Sequence, residues 1–238
     1  QMISMFNPTI IVYVHFISSI LLLYVLFSMP DIPVSEVENK EKSSVMSVIS
    51  KYKIFFLVLV AFAFMYCAST TISTYLINIV NNLGGNTSLY GLAIFFMAAS
   101  EMPVMAKTYG LLRKYNAETL LLASAFFYLL RNFTICLAPH LVILMIGMIF
   151  QGLSFGLFTA TIAYYVNDYL ETKDQMIGQT MITMMSTGVG STLGNVFGGY
   201  LQDSFGIQSM FIFICVMTLI GFVIMFMTLK NQIGKKDR

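Results

Sequence analysis

The stretch Leu141 to Val166 reads LVILMIGMIFQGLSFGLFTATIAYYV and contains no Asp, Glu, Lys or Arg. A helix that is apolar all round belongs in the core of a large protein or in a membrane. A bilayer crossing needs about 20 mostly apolar residues. Six further runs of this kind flank it, so the chain reads as seven segments: Thr9 to Met29, Ile54 to Val80, Leu89 to Ala106, Glu118 to Leu137, Leu141 to Val166, Met176 to Leu201 and Ser209 to Leu229. A transmembrane barrel would show alternating strands of about 10 residues. These runs are longer and continuous. The expected fold class is therefore all-α, a polytopic membrane protein with seven transmembrane helices.

Composition agrees. The chain has 238 residues, 58% hydrophobic and 10% charged, and its mean hydropathy is +0.81. Soluble domains are about 45–50% apolar and about 25% charged. An ordinary soluble domain and a disordered chain are excluded. The formal charge of +2 implies no polyanionic partner, so no nucleic acid is expected. Three cysteines without a spacing motif exclude a disulfide scaffold. Position 1 is Gln, so the expectation is a fragment or a start at Met2. The first run is too long and too apolar for a signal peptide.

The connections carry the topology. Pro30 to Lys53 is the only long one, with two prolines, four acids and four lysines. It reads as a linker between one helix and a packed group of six, with a short surface helix at Val45 to Ser50. Of 13 basic residues, all but Arg131 fall in the linker, between segments three and four, between five and six, or in the tail. These lie on one side if the helices alternate. The opposite connections have none. Basic loops stay inside, so the linker and C-terminus are expected to be cytoplasmic. Asn86-Thr87-Ser88 fits a glycosylation sequon on the outer side, a triplet that also arises by chance.

Glu101 and Arg131 sit within spans, where a charge costs about 2.5–3.5 kcal/mol at the bilayer centre. Such charges face a wet cavity or each other. Their backbones differ in depth by about 8 Å at 1.5 Å per residue, and two long side chains on adjacent helices span much of that gap. A structural ion pair and a substrate or proton site both fit. A Glu balanced between desolvation and a nearby arginine is able to load and release a proton.

Segment two carries a polar stripe. Thr71, Tyr75, Asn78 and Asn82 recur on one helical face, widened by Ser69, Thr70, Ser73 and Thr74. Interhelical hydrogen bonding accounts for such a face at about 0.6 kcal/mol per contact; a wet cavity with a polar ligand accounts for it better. On segment five, Gln151, Phe155, Phe158 and Thr159 share a face, with Ser154 nearby. Aromatics beside hydrogen-bonding groups suit a sugar ring or an aromatic acid, and core packing explains the phenylalanines equally well. Ser186, Gly190, Gly194 and Gly198 on segment six, and Gly152, Gly156 and Ala160 on segment five, form small-residue stripes that let backbones approach. Pro103 is expected to kink segment three. His15 and His140 have no second ligand at metal-binding spacing. Cys67, Cys136 and Cys215 read as small apolar residues. No phosphate-binding glycine loop and no nucleophile–base pair appears, so no enzyme activity and no cofactor is expected.

Several stretches carry a resemblance. Tyr75-Leu76, Asn82-Leu83-Gly84-Gly85, Leu89-Tyr90-Gly91-Leu92 and Ser100-Glu101-Met102-Pro103-Val104-Met105 resemble the major facilitator superfamily. The closer likeness is to the branch of lactose permease-like oligosaccharide/proton symporters and phenylpropionate permeases. Arg131 sits where that branch has a fourth-segment arginine. Gln151-Gly152-Leu153-Ser154-Phe155-Gly156 is similar to its His-Gly-Leu-Ser-Phe-Gly stretch. Tyr165 to Asn167, Gly178-Gln179 and Gly188 to Gly199 followed by Tyr200-Leu201-Gln202-Asp203 also match. The likeness covers roughly Phe64 to Met210. It implies helices six to twelve of a twelve-helix transporter, with residues 1–30 as the last helix of an N-terminal bundle, 31–53 as the central cytoplasmic loop and 54–238 as the C-terminal six-helix bundle. The partners implied are a small-molecule substrate, protons, the lipid bilayer and the missing N-terminal bundle, in the cell membrane. The implied activity is transport of a sugar or organic acid by alternating access. The implied substrate-binding residues are Tyr75, Asn78, Asn82, Glu101, Arg131, Gln151, Phe155 and Thr159, with Glu101 and Arg131 in proton coupling. Gln151 and Thr159 depart from the branch by replacing histidines, so that either Glu101 carries the proton, or the missing half does, or the protein is not a proton symporter. Gly110-x-Leu112 and Gly199-x-Leu201, with the residues after each, form a weak inverted echo. A seven-helix receptor and a non-transporting sensor or scaffold are the rival expectations.

Overall fold

The computed structural model describes residues 8–28 and 44–236, so most of the long linker lies outside the described residues. The chain divides into two compact units, one up to Lys42 and one from Ser43 on. In the first, α1 (Pro8–Ser28) is a single helix with apolar side chains such as Phe16, Leu21 and Leu23 exposed.

The second unit is a helical bundle. It comprises α2 (Val45–Lys51), α3 (Lys53–Thr74), α4 (Leu76–Asn82), α5 (Thr87–Leu112), α6 (Ala117–Cys136), α7 (Leu141–Ile149), α8 (Leu157–Tyr169), α9 (Thr172–Thr183), α10 (Ser191–Phe205) and α11 (Ile207–Lys236). Wider π-helical turns at Gly152–Gly156 and Met184–Gly190 join α7 to α8 and α9 to α10. Among the described residues, five helical stretches are long and apolar enough to cross a membrane: Lys53–Thr74, Thr87–Leu112, Ala117–Cys136, Leu141–Tyr169 and Ile207–Lys230. Segment six is helical but too rich in Gly, Ser and Thr to join them.

Three sequence expectations change. Segment two is not one helix: it breaks at Tyr75, whose ψ of 16° ends α3 and opens α4. Segment three does not stop at Ala106. Its helix runs through Lys107 to Leu112, because the end of a span continues as helix into the polar zone. Pro103 lies inside this helix, where a kink is expected. The surface helix in the linker appears one residue longer than expected.

α3 is the central helix. Of its apolar window, 61% is buried inside the protein, against 6% for α5. α3 packs along α11 and α10, and α6 along α11 and α8. The α10 glycines explain the closeness on one side. A Cβ at Gly190, Gly194, Gly198 or Gly199 would strike Ala63, Cys67, Thr71 or Tyr75, one α3 turn after another. The Thr71 hydroxyl donates to the Gly194 carbonyl at 2.9 Å and the Tyr75 hydroxyl to the Asn195 carbonyl at 2.9 Å. Gly194→Ala presses on the Cys67 backbone, which cannot rotate away, and is expected to cost about 1–3 kcal/mol. A Cβ added at Gly110 would meet no atom within 4 Å, so Gly110→Ala should bring no loss. Thermal unfolding in detergent compares the two.

The apolar core falls into two clusters. One, towards the linker end, holds Phe55, Leu59, Phe62, Tyr128, Phe158, Tyr165 and Met225. The other, towards the opposite end, holds Ile72, Leu76, Ile135, Leu144, Met148 and Ile214. Along α3, α6 and α11, and along the α7–α8 stretch, the residues between the two clusters include polar ones. That layer is the candidate site.

At the linker end, α2 is fastened to the start of α9. Lys51 Nζ lies 2.7 Å from Glu171 Oε1 and 3.2 Å from Asp174 Oδ2. The Tyr52 hydroxyl donates to Asp174 Oδ2 at 3.0 Å. Hydrogen bonding to Lys51 holds the Glu171 carboxyl below its usual range, and the same bond holds the Lys51 ammonium above its own.

Candidate solute site

Arg131 anchors the polar layer. It is fully buried on α6, one turn beyond Tyr128. Its Nη1 donates to the Ser69 hydroxyl at 2.9 Å and to Asn132 Oδ1 at 3.1 Å. Asn132 Nδ2 donates to the Thr218 hydroxyl at 2.8 Å. The network ties α6 to α3 and α11. It leaves Arg131 Nε and Nη2 with no hydrogen-bond partner among the described residues, and the Tyr128 hydroxyl likewise. A buried guanidinium that lacks a paired acid and keeps two donors unmet is costly. It is the kind of group that marks a ligand path in a membrane protein.

Glu101 reaches the layer from α5. It does not form the ion pair with Arg131 that its spacing allows. Gln151 Nε2 donates to Glu101 Oε1 at 3.0 Å instead. The reason is the packing of α5 on the π turn. Gly152 N donates to the Ser100 hydroxyl at 3.0 Å, and a Cβ at Gly152 would sit 2.6 Å from the Ser100 carbonyl carbon. That clasp places Gln151 beside Glu101. Gln151 is buried and its Oε1 has no hydrogen-bond partner among the described residues. The arrangement therefore offers unmet donors from Arg131, an unmet amide acceptor from Gln151 and a half-buried carboxylate.

Aromatic rings border the layer on the linker side. Phe62 stacks on Phe158 at 3.8 Å between ring centroids, and Tyr66 lies 5.5 Å from Phe62 and 6.0 Å from Phe155. Phe155 and Tyr66 are half-buried, so their edges stay accessible.

The other expected residues lie apart. The break at Tyr75 divides the stripe between α3, which holds Thr71, and α4, which holds Asn78 and Asn82. Thr71 and Tyr75 spend their hydroxyls on α10, the interhelical bonding that was the plainer reading of the stripe. Asn78 is half-buried on α4 and Asn82 exposed at its end. Thr159 is exposed, and its hydroxyl donates to the Phe155 carbonyl. Tyr128, Asn132 and Thr218 were not singled out in the sequence. Tyr128 stands one helical turn before Arg131 and Asn132 directly after it, a signal that was available. Thr218 is a lone hydroxyl in an apolar run and gives none.

The described residues form a helical bundle with five stretches apolar enough to cross a membrane and a buried, incompletely satisfied polar layer between its two core clusters. A family model described as "MFS_1 like family" matches residues 2–213, and the chain belongs to that family. It is 25% identical over 178 residues to the maltose permease of Geobacillus stearothermophilus, covering 75% of this chain and 45% of the permease. It is 24% identical over 174 residues to the uncharacterized transporter YwbF of Bacillus subtilis strain 168, covering 69% of this chain and 44% of that protein. The chain thus spans less than half the length of these relatives.

Proposed function

We propose that the chain forms the second half of a two-bundle secondary transporter that carries a sugar or organic acid by alternating access, driven by protons. The observation that carries this reading is Arg131, buried with Nε and Nη2 unpartnered. In this reading the two donors take a hydroxyl or carboxylate of the solute. Gln151 Oε1 and Glu101 accept solute hydroxyls, and the Tyr66 and Phe155 rings cover its apolar face. Another bundle supplies the opposite wall. The sparsely buried α5, which brings Glu101 from the periphery, is the natural face for it.

The finer assignments belong to the same proposal. α1 and the α9–α10 stretch count as spans, giving seven helices that correspond to helices six to twelve, with residues 1–30, 31–53 and 54–238 as last helix, central loop and C-terminal bundle. The linker and C-terminus are cytoplasmic. A sugar is favoured by the name of the maltose permease relative. The coupling residue is Glu101. With no histidine at Gln151, it is the titratable acid closest to the Arg131 network.

Uptake of radiolabelled maltose by cells producing the full-length protein tests the reading. Glu101→Gln is expected to abolish proton-dependent accumulation while the protein still reaches the membrane. Full accumulation by that variant removes Glu101 from the coupling step.

A further inference from the structure

The polar corner at the linker end is not used by the solute site. Asp174 is 2% exposed, in the first turn of α9, yet it is met by two groups from the α2–α3 junction, Lys51 and the Tyr52 hydroxyl. The same hydroxyl accepts a hydrogen bond from the Glu171 backbone N–H at 3.2 Å. Glu171 in turn binds Lys51 through one oxygen and Lys173 through the other. Tyr52 is therefore both the hinge between two helices and the contact on the α8–α9 turn. Beyond α9 the helix passes through the π turn Met184–Gly190, where a wider rung makes bending easier.

We propose that Lys51 and Tyr52 form a latch on Asp174 and Glu171 that couples the linker helix α2 to the position of the α9–α10 helix. This rests on the transporter reading, in which alternating access requires parts of the bundle to move. The structure is the latched state. In the second state the contacts part, and α9 swings about the π turn away from α3. The equilibrium between the two is set from the linker.

The test uses cysteine labelling in membranes containing the full-length protein, with Cys67, Cys136 and Cys215 changed to Ala. Met181, 3% exposed on α9, becomes the reporter as Met181→Cys. Met148, fully buried on α7 in the other cluster, becomes the control as Met148→Cys. The probe is N-ethylmaleimide, without solute, so that the result is independent of whether the chain transports the solute tried. Lys51→Ala and Tyr52→Phe are expected to speed labelling of the reporter about fivefold or more, the range of ordinary coupling between sites, and to leave the control unchanged. Lys51→Arg is expected to label like the parent. Unchanged reporter labelling in both Lys51→Ala and Tyr52→Phe overturns the latch. Equal acceleration at both positions also overturns it, since that reports loosening of the whole bundle. Loss of uptake with unaltered labelling counts against the latch and leaves the transport reading standing.

Discussion

Replacing Arg131 by lysine is expected to lower uptake at limiting solute about 10–100-fold, through the Michaelis constant, with normal abundance in the membrane. The charge is kept and the geometry is lost. A guanidinium presents a planar fork, and an ammonium is a compact point charge that does not bind bidentately. Hydrogen bonds involving a charged group contribute about 1.5–3 kcal/mol, so losing one gives the stated range. In this structure Nη1 is committed to Ser69 and Asn132, while Nε and Nη2 are the unmet donors. Lysine has the means to replace Nη1 and none to replace the fork. Uptake kinetics together with a membrane immunoblot check the result. A normal Michaelis constant in Arg131→Lys makes the arginine a structural tie between α6 and α3.

Gly152→Ala is expected to do more damage than its single methyl suggests. The added Cβ meets the Ser100 backbone, which has no rotamer to escape into. Either the π turn straightens or α5 moves outward. Both break the bond from Gly152 N to the Ser100 hydroxyl, and both carry Gln151 away from Glu101. Overpacking costs about 1–3 kcal/mol, which should lower the melting temperature in detergent by several degrees. A displacement of about 1 Å at a working site costs about 100-fold in rate, so uptake should fall much further than stability. Gly156→Ala is the instructive companion. Its Cβ would stand 3.5 Å from Glu101 Cα, an ordinary contact, and it should be tolerated. Equal uptake in Gly152→Ala and the parent means that the Ser100–Gly152 clasp does not set the Glu101–Gln151 geometry.

Much of the bundle was legible in the sequence because a span announces itself by length and apolarity alone. Leu141 to Val166 needed no partner to be read as helix. The small-residue stripes were legible for a similar reason: Gly190, Gly194 and Gly198 have a period, and the structure gives that period a partner in α3. What stayed hidden was local geometry within a helix. The break at Tyr75 follows no proline or glycine, so the stripe through Thr71, Tyr75, Asn78 and Asn82 looked continuous. The π turn at Gly152–Gly156 has no sequence signal beyond its glycines, yet it decides that Glu101 meets Gln151 and not Arg131. The charges themselves stood out from their cost in lipid. Which neighbour each one found depended on packing between helices far apart in the chain, as Asn132 and Thr218 illustrate.

The central claim is that a proton gradient drives the solute through the Arg131–Glu101–Gln151 layer. The measurement that tests it most directly is accumulation of labelled maltose in membrane vesicles containing the full-length protein, with the outside made acid. The account predicts uptake above the equilibrium level, its collapse on adding a protonophore, and no gradient-driven accumulation in Glu101→Gln, which should still exchange solute across the membrane. Accumulation that persists with the protonophore, or that Glu101→Gln retains in full, would contradict it.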